Sequence, residues 1–247
     1  MAAFALLDVD LFADELDLSC FTRDITVNVE AAEVDATTFC SGGWMVPISG
    51  LRSAMWTAAG PADMATATAA QTSAVDEVLA VDLGSNYVLS AVPAGATAGE
   101  VAYFGQGVMM SRTVLDGAVG DLATHSVSFA GSRIIRGIVE HSATLTATGD
   151  STGTQLGAVS ASQRIWAAVH FLTAGGTSTP TITVKIQSDD NGSFTTPTDR
   201  ITFTAQTAKG AQFGSTLGAI ADDYWRATWT VSGTTPSFQT RILIGIA

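Results

Sequence analysis

Few residues of this chain have the type and spacing to do chemistry. Gly149-Asp150-Ser151-Thr152-Gly153 matches the G-x-S-x-G spacing of a nucleophile elbow. That motif presents its serine only where a strand turns sharply into a helix, with an acid and a histidine following. Here Thr154-Gln155-Leu156-Gly157 comes next and starts no helix, so the segment reads as a linker. Asp189-Asp190-Asn191-Gly192 has part of a calcium loop's acid pattern, but not its ligand spacing or terminal glutamate. It reads as a hairpin turn. His125, His141 and His170 lie in separate strand-like runs with no cysteine or carboxylate at ligand spacing. Gly105-Gln106-Gly107 lacks the strand-turn-helix setting of a phosphate loop. Cys20 and Cys40 have no CxxC spacing, and two thiols alone make no structural zinc site. They read as small buried residues of a protein made in a reducing cytoplasm. Trp166, Trp225 and Trp229 would suit either a sugar-stacking platform or a core, and their place on alternating strands favours the core. No catalytic residue, metal site or cofactor is assigned.

The elements around these residues are β-type. Ile25, Val27 and Val29 alternate with Thr26, Asn28 and Glu30, the pattern of a half-buried strand. Asp35 to Pro47 loses all periodicity, yet this loop carries Phe39, Trp44 and Met45. Loops rarely display such side chains unless they pack on something. Ile48–Ala58 resumes as a strand, Ser73–Leu83 reads as one short capped helix, and Tyr87–Val92 as a further strand. Val101–Gly137 forms the spine of the first half: two extended runs joined by the turn-rich connector Leu115–Leu122. Ile138–Thr148 follows, and the domain boundary is placed in 149–153. Beyond it, strands are expected at Arg164–Leu172, Thr181–Gln187, Arg200–Thr204, Asp223–Val231 and Phe238–Ile246.

Composition narrows the function classes. At 247 residues and 47% hydrophobic, the chain has material for a large core. Charged residues are only 14%, against roughly 25% in ordinary soluble domains. A surface so poor in charge suggests burial against other chains. With a net charge of −12 and only two lysines, Lys185 and Lys209, the sequence shows no basic patch of the kind that tight DNA binding needs. Residues 1–35 carry nine acids (Asp8, Asp10, Asp14, Glu15, Asp17, Asp24, Glu30, Glu33 and Asp35) against the single Arg23. Such a bias fits a solvated face, or a surface that must repel a polyanion. No apolar run approaches the ~20 residues of a membrane helix, and the first residues lack the pattern of a signal peptide.

In order and spacing, several segments resemble the major tail tube protein of long-tailed bacteriophages. They are Leu16-Asp17-Leu18-Ser19, Val27-Asn28-Val29-Glu30, Glu33-Val34-Asp35-Ala36-Thr37-Thr38-Phe39, Ile48-Ser49-Gly50-Leu51-Arg52, Gly120-Asp121-Leu122-Ala123-Thr124 and Ser126-Val127-Ser128-Phe129. The resemblance covers residues 1–140. It implies an all-β fold: a tail-tube β-sandwich over 1–148 with one flanking helix, then the junction 149–153. A second sandwich, jelly-roll or immunoglobulin-like, would occupy 154–247 on the tube exterior. It also implies hexameric rings stacked into a conduit for the genome, with DNA passing unbound. Terminator, tape measure and tail-tip proteins would be partners, no membrane would be involved, and the virion would be the final location after synthesis in the host cytoplasm. In the family the loop after the second strand reaches the next ring. Asp35–Pro47 is the matching segment, and Phe39, Trp44 and Met45 would make the contacts between rings. The segment Cys40-Ser41-Gly42-Gly43-Trp44-Met45 departs from the usual pattern. The alternative is a receptor- or carbohydrate-binding tail-tip or capsid-decoration protein that uses the C-terminal tryptophans.

Overall fold

A computed structural model describes residues 6–62 and 83–247. In chain order its strands are β1 (Asp10–Ala13), β2 (Leu16–Asp17), β3 (Asp24–Asp35), β4 (Pro47–Pro61), β5 (Asn86–Val92), β6 (Val101–Asp116) and β7 (Thr124–Leu145). There follow β8 (Gly149–Asp150), β9 (Thr154–Gln155), β10 (Arg164–Asp189), β11 (Thr198–Thr202), β12 (Gly210–Leu217) and β13 (Tyr224–Ile246). The fold is all-β, and the only helical turns among the described residues are 3-10 turns at Ser19–Phe21 and Phe39–Ser41. The helix expected at Ser73–Leu83 lies, apart from Leu83, outside the described residues.

The chain forms two compact units. The first comprises Met1–Cys20, Tyr87–Gly105 and Ile135–Ala247, and the second Phe21–Asn86 and Gln106–Ile134. The boundary read at 149–153 falls inside the first.

The first unit is built on β10 and β13, which pair antiparallel from Ile165↔Ile246 to Asp189↔Tyr224. The register shifts near Phe171/Thr173 and between Gly175 and Thr181. There Gly176, Ser178 and Thr179 take positive φ, which bends the strand where two separate strands were expected. Ile165, Ala167, Val169 and Phe171 from one half share a core with Ile182, Val184 and Ile186 from the other. The opposite face of the first half is buried too. Ala168 and Leu172 join Phe12, Val88, Phe104, Ile135, Val139 and Leu243 in a second cluster. Burial on both faces explains why Ile165–Leu172 reads as an almost unbroken apolar run. At Gly137 an added Cβ would sit 2.0 Å from the Ile244 carbonyl oxygen, so β7 and β13 approach this closely only because the residue is glycine.

β12 was not foreseen; it pairs with β10 from Arg164↔Leu217 to Phe171↔Gly210. Gly149–Gly153, read as a linker, is instead partly strand: β8 pairs with β13 through Asp150↔Thr228 and Gly149↔Trp229.

In the second unit, β4 lies between β3 and β7. Ala54, Trp56 and Ala58 are buried, opposite Gly131, Phe129 and Val127 of β7. Thr57 and Ser128 occupy the other face, where the Ser128 and Ser111 hydroxyls hydrogen-bond at 2.6 Å. Before Ala54, β4 pairs with β3 alone, so residues 30–53 continue as a two-stranded arm with its turn at 36–46. The loop predicted at Asp35–Pro47 is the tip of this arm.

Candidate assembly surfaces

The polar groups singled out by sequence are held by neighbouring groups. Ser151 is buried on β8's flank; its Oγ donates to Glu140 Oε1 at 2.5 Å and accepts the Ala227 N–H at 2.9 Å. Its hydroxyl is therefore engaged on both sides, and the segment begins no helix. Burial pushes the Glu140 carboxyl up to about 7, although Ser151 donates to it.

His170 forms a pair that the sequence did not announce. Its Nδ1 donates to the Asp14 carbonyl at 2.7 Å, and its Nε2 accepts from Ser90 Oγ at 2.7 Å. This is the geometry of a nucleophile and its base. Yet both side chains are fully buried, so a substrate has no approach, and burial pushes the imidazole down to about 4. The pair ties β5 and β10 to the turn after β1. Only the folded register brings residues 14, 90 and 170 together, so no local signal could have shown it.

The remaining candidates are packed or hydrogen-bonded, although His141 Nε2 is buried without a hydrogen-bond partner. His125 Nδ1 donates to the Pro61 carbonyl, and the His141 ring lies 4.4 Å from that of Trp229. Trp225 and Trp229 are buried, donating Nε1–H to Gly157 O and Ala147 O. Trp166 packs on Phe213, 5.4 Å between ring centroids. The tryptophans thus form no exposed platform for a sugar. Asp189 accepts from the Asn191 and Thr196 amides and closes the turn foreseen there. Cys20 and Cys40, expected to be buried, are both exposed. Each sits in or beside a short 3-10 turn that buries none of its residues.

Several N-terminal acids serve local structure. Asp10 accepts from the Ala96 amide and Asp14 from the Val88 amide. The Thr37 hydroxyl and amide both donate to Asp35 and hold its carboxyl below the usual carboxylate range.

The largest uncovered apolar groups among the described residues lie in the second unit. Phe39 is 110%, Trp44 80% and Met45 59% exposed, and Val34, Val46, Ile48 and Leu51 beside them are exposed as well. β3 pairs on one side only, leaving a twelve-residue open edge among the described residues. A second apolar group comprises Val114 and Leu115 at the end of β6 with Val119 and Leu122 of the turn-rich connector to β7. Four exposed apolar side chains among Asp-Gly and Gly-Asp pairs were the available signal.

No protein-family model matches this chain, and no curated protein does. Solved structures do. A chain from the virion of a native gene transfer agent particle is 18% identical, covering 53% of this chain and 97% of its own, with a TM-score of 0.40. The SPP1 phage tail tube protein is 12% identical over 52% of this chain and 76% of its own, at a TM-score of 0.38. The SPP1 Dit protein, from the hub adsorption apparatus of a phage infecting Gram-positive hosts, spans 97% of this chain and 99% of its own. It is 9% identical, with a TM-score of 0.37. The structural neighbours are thus components of phage and phage-like particles, at a distance that fixes neither a family nor an activity for this chain.

Proposed function

We propose that this chain is a structural subunit of a phage-type tail, building hexameric rings that stack into the tube through which DNA is ejected. The observation that carries this reading is the pairing, within one unit, of an open strand edge and an apolar-tipped arm. An uncovered twelve-residue edge is a template for another strand, and a monomer that leaves one bare invites aggregation. A ring closes when one patch on each subunit meets a different patch on the next, so every edge is capped by a neighbour. The arm supports the same reading, since a two-stranded ribbon is marginal in water without a surface to pack on.

Charge fits the conduit. The net charge of −12 and the scarcity of lysine suit a wall along which a polyanion slides without adhering. Phe39, Trp44 and Met45 make the contacts between rings, and residues 154–247 face outward from the tube. Tail terminator, tape measure and tip proteins would be further partners of the stack, and the subunit would end in the virion after synthesis in the host cytoplasm.

Sedimentation of the purified chain, together with a glycan-binding panel, tests the reading. Large assemblies that bind no glycan are expected. Discrete monomers or trimers that bind a specific glycan would replace it with a receptor-binding role.

A further inference from the structure

The arm tip has an apolar counterpart at the opposite end of the same strand. β4 begins at Pro47, beside the tip, and ends at Pro61, which pairs with Thr124. The Ala62 amide then donates to the Ala123 carbonyl, which places the 117–123 connector against this far end. Fifteen residues of strand, at about 3.3 Å each, put roughly 45–50 Å between the two ends. The tips of one chain are therefore too far apart along the strand to cover each other.

We infer that the β6–β7 connector, through Val114, Leu115, Val119 and Leu122, receives the arm tip of a second copy of this chain. The inference rests on the tail-subunit reading and names the partner surface it lacks. Two unlike apolar patches at opposite ends of one strand make a head-to-tail contact, and where its rotation closes no ring, copies add lengthwise as an open stack. The area is adequate. Two aromatic side chains exposed as fully as Phe39 and Trp44 bring roughly 300–500 Å². Met45, Ile48 and Leu51 extend the patch toward the ~800 Å² per partner of a standard interface. Left bare, it would match or exceed the largest apolar patch of a typical monomer, about 300–600 Å².

The chain carries its own probe: Cys40 is exposed at the arm tip, beside Phe39. In a Cys20→Ser background, Val119→Cys puts a thiol at a fully exposed position of the connector. Oxidation of the full chain and a non-reducing gel give the readout, with Leu122→Cys as a second site and circular dichroism to confirm the fold. A ladder of dimers, trimers and longer species is expected, because every chain then holds both halves of the contact. The ladder should vanish when Cys40→Ser is added. Monomers alone, dimers alone (an arm-to-arm contact) or a ladder surviving Cys40→Ser would each overturn the inference. Tubes without the ladder would spare the tail-subunit reading and sink only this contact. A ladder without six-fold rings would do the reverse.

Discussion

Glu140 and His170 are both buried, and they tilt stability in opposite directions across one pH window. A carboxyl that titrates near 4.5 when unfolded and about 7 when folded keeps its proton longer in the fold. Stability from Glu140 is complete below 4.5 and is lost as pH rises through 7, on the order of 3 kcal/mol. His170 goes from 6.5 unfolded to about 4 folded. Its share is complete above 6.5 and is lost as pH falls through 4, again on the order of 3 kcal/mol. The wild-type chain should therefore change little in stability between pH 4.5 and 7. Glu140→Gln keeps a hydrogen-bond acceptor for Ser151 and removes one slope. Urea unfolding of this variant should show stability falling by about 2–3 kcal/mol from pH 7 to 4.5. A profile as flat as wild type would mean that these groups are not buried as described. None of this was legible in sequence. Gly149-Asp150-Ser151-Thr152-Gly153 looks like a spacer because its composition is that of a spacer, and only the fold sets Glu140 beneath Ser151. The cysteines were misjudged for a related reason: a small apolar residue signals burial only if its element has an inside.

At the scale of elements, strands are legible wherever polar and apolar residues alternate, even in β3, which buries none of its residues. Ile25–Glu30, Thr181–Gln187 and Trp225–Val231 alternate cleanly, and each lies in a strand as read. Legibility fails where packing replaces alternation. In β12, Gly-Ala-Gln-Phe-Gly-Ser-Thr-Leu has almost no period, and Gly214 is small because Ile201 and Phe203 pack over it. It fails again at bends. The Gly175–Pro180 stretch has turn composition, yet β10 runs through it, held by β13 on both sides of the register shift. The arm is half legible: the aperiodic loop between β3 and β4 shows in the sequence, but not that the two strands extend together to carry it. Trp44→Ala tests the arm alone. Trp44 covers little of its own chain, so the unfolding free energy of the monomer should stay within the small change typical of surface substitutions, about 0.5 kcal/mol. Assemblies, in contrast, should become much shorter, since each subunit loses roughly 1.5–3 kcal/mol of apolar burial. Wild-type lengths by sedimentation would remove Trp44 from the contact.

At the scale of the molecule, a sequence-based division at 149–153 and the observed packing lead to different outcomes. The end of β7 pairs with β13 from Ile138↔Ile244 to Leu145↔Phe238. Ile135 and Val139 share a core with Ala168, Leu172 and Leu243. A chain ending at Thr148 loses those partners and exposes that core, so it should show no cooperative thermal transition. A sharp transition, with soluble product, would establish two independent modules instead. Composition hid this dependence, because the shift at 149–153 reflects a change in strand length and turn content while the core continues across it.

Electron microscopy of the purified full chain distinguishes a ring-forming subunit from a free one. Rings or tubes with one bore and six-fold symmetry are expected, in which the outer edge of β3 pairs with a strand of the next subunit. Particles that stay monomeric at high concentration, or closed two-fold dimers with the β3 edge exposed to solvent, would contradict the tail-subunit reading.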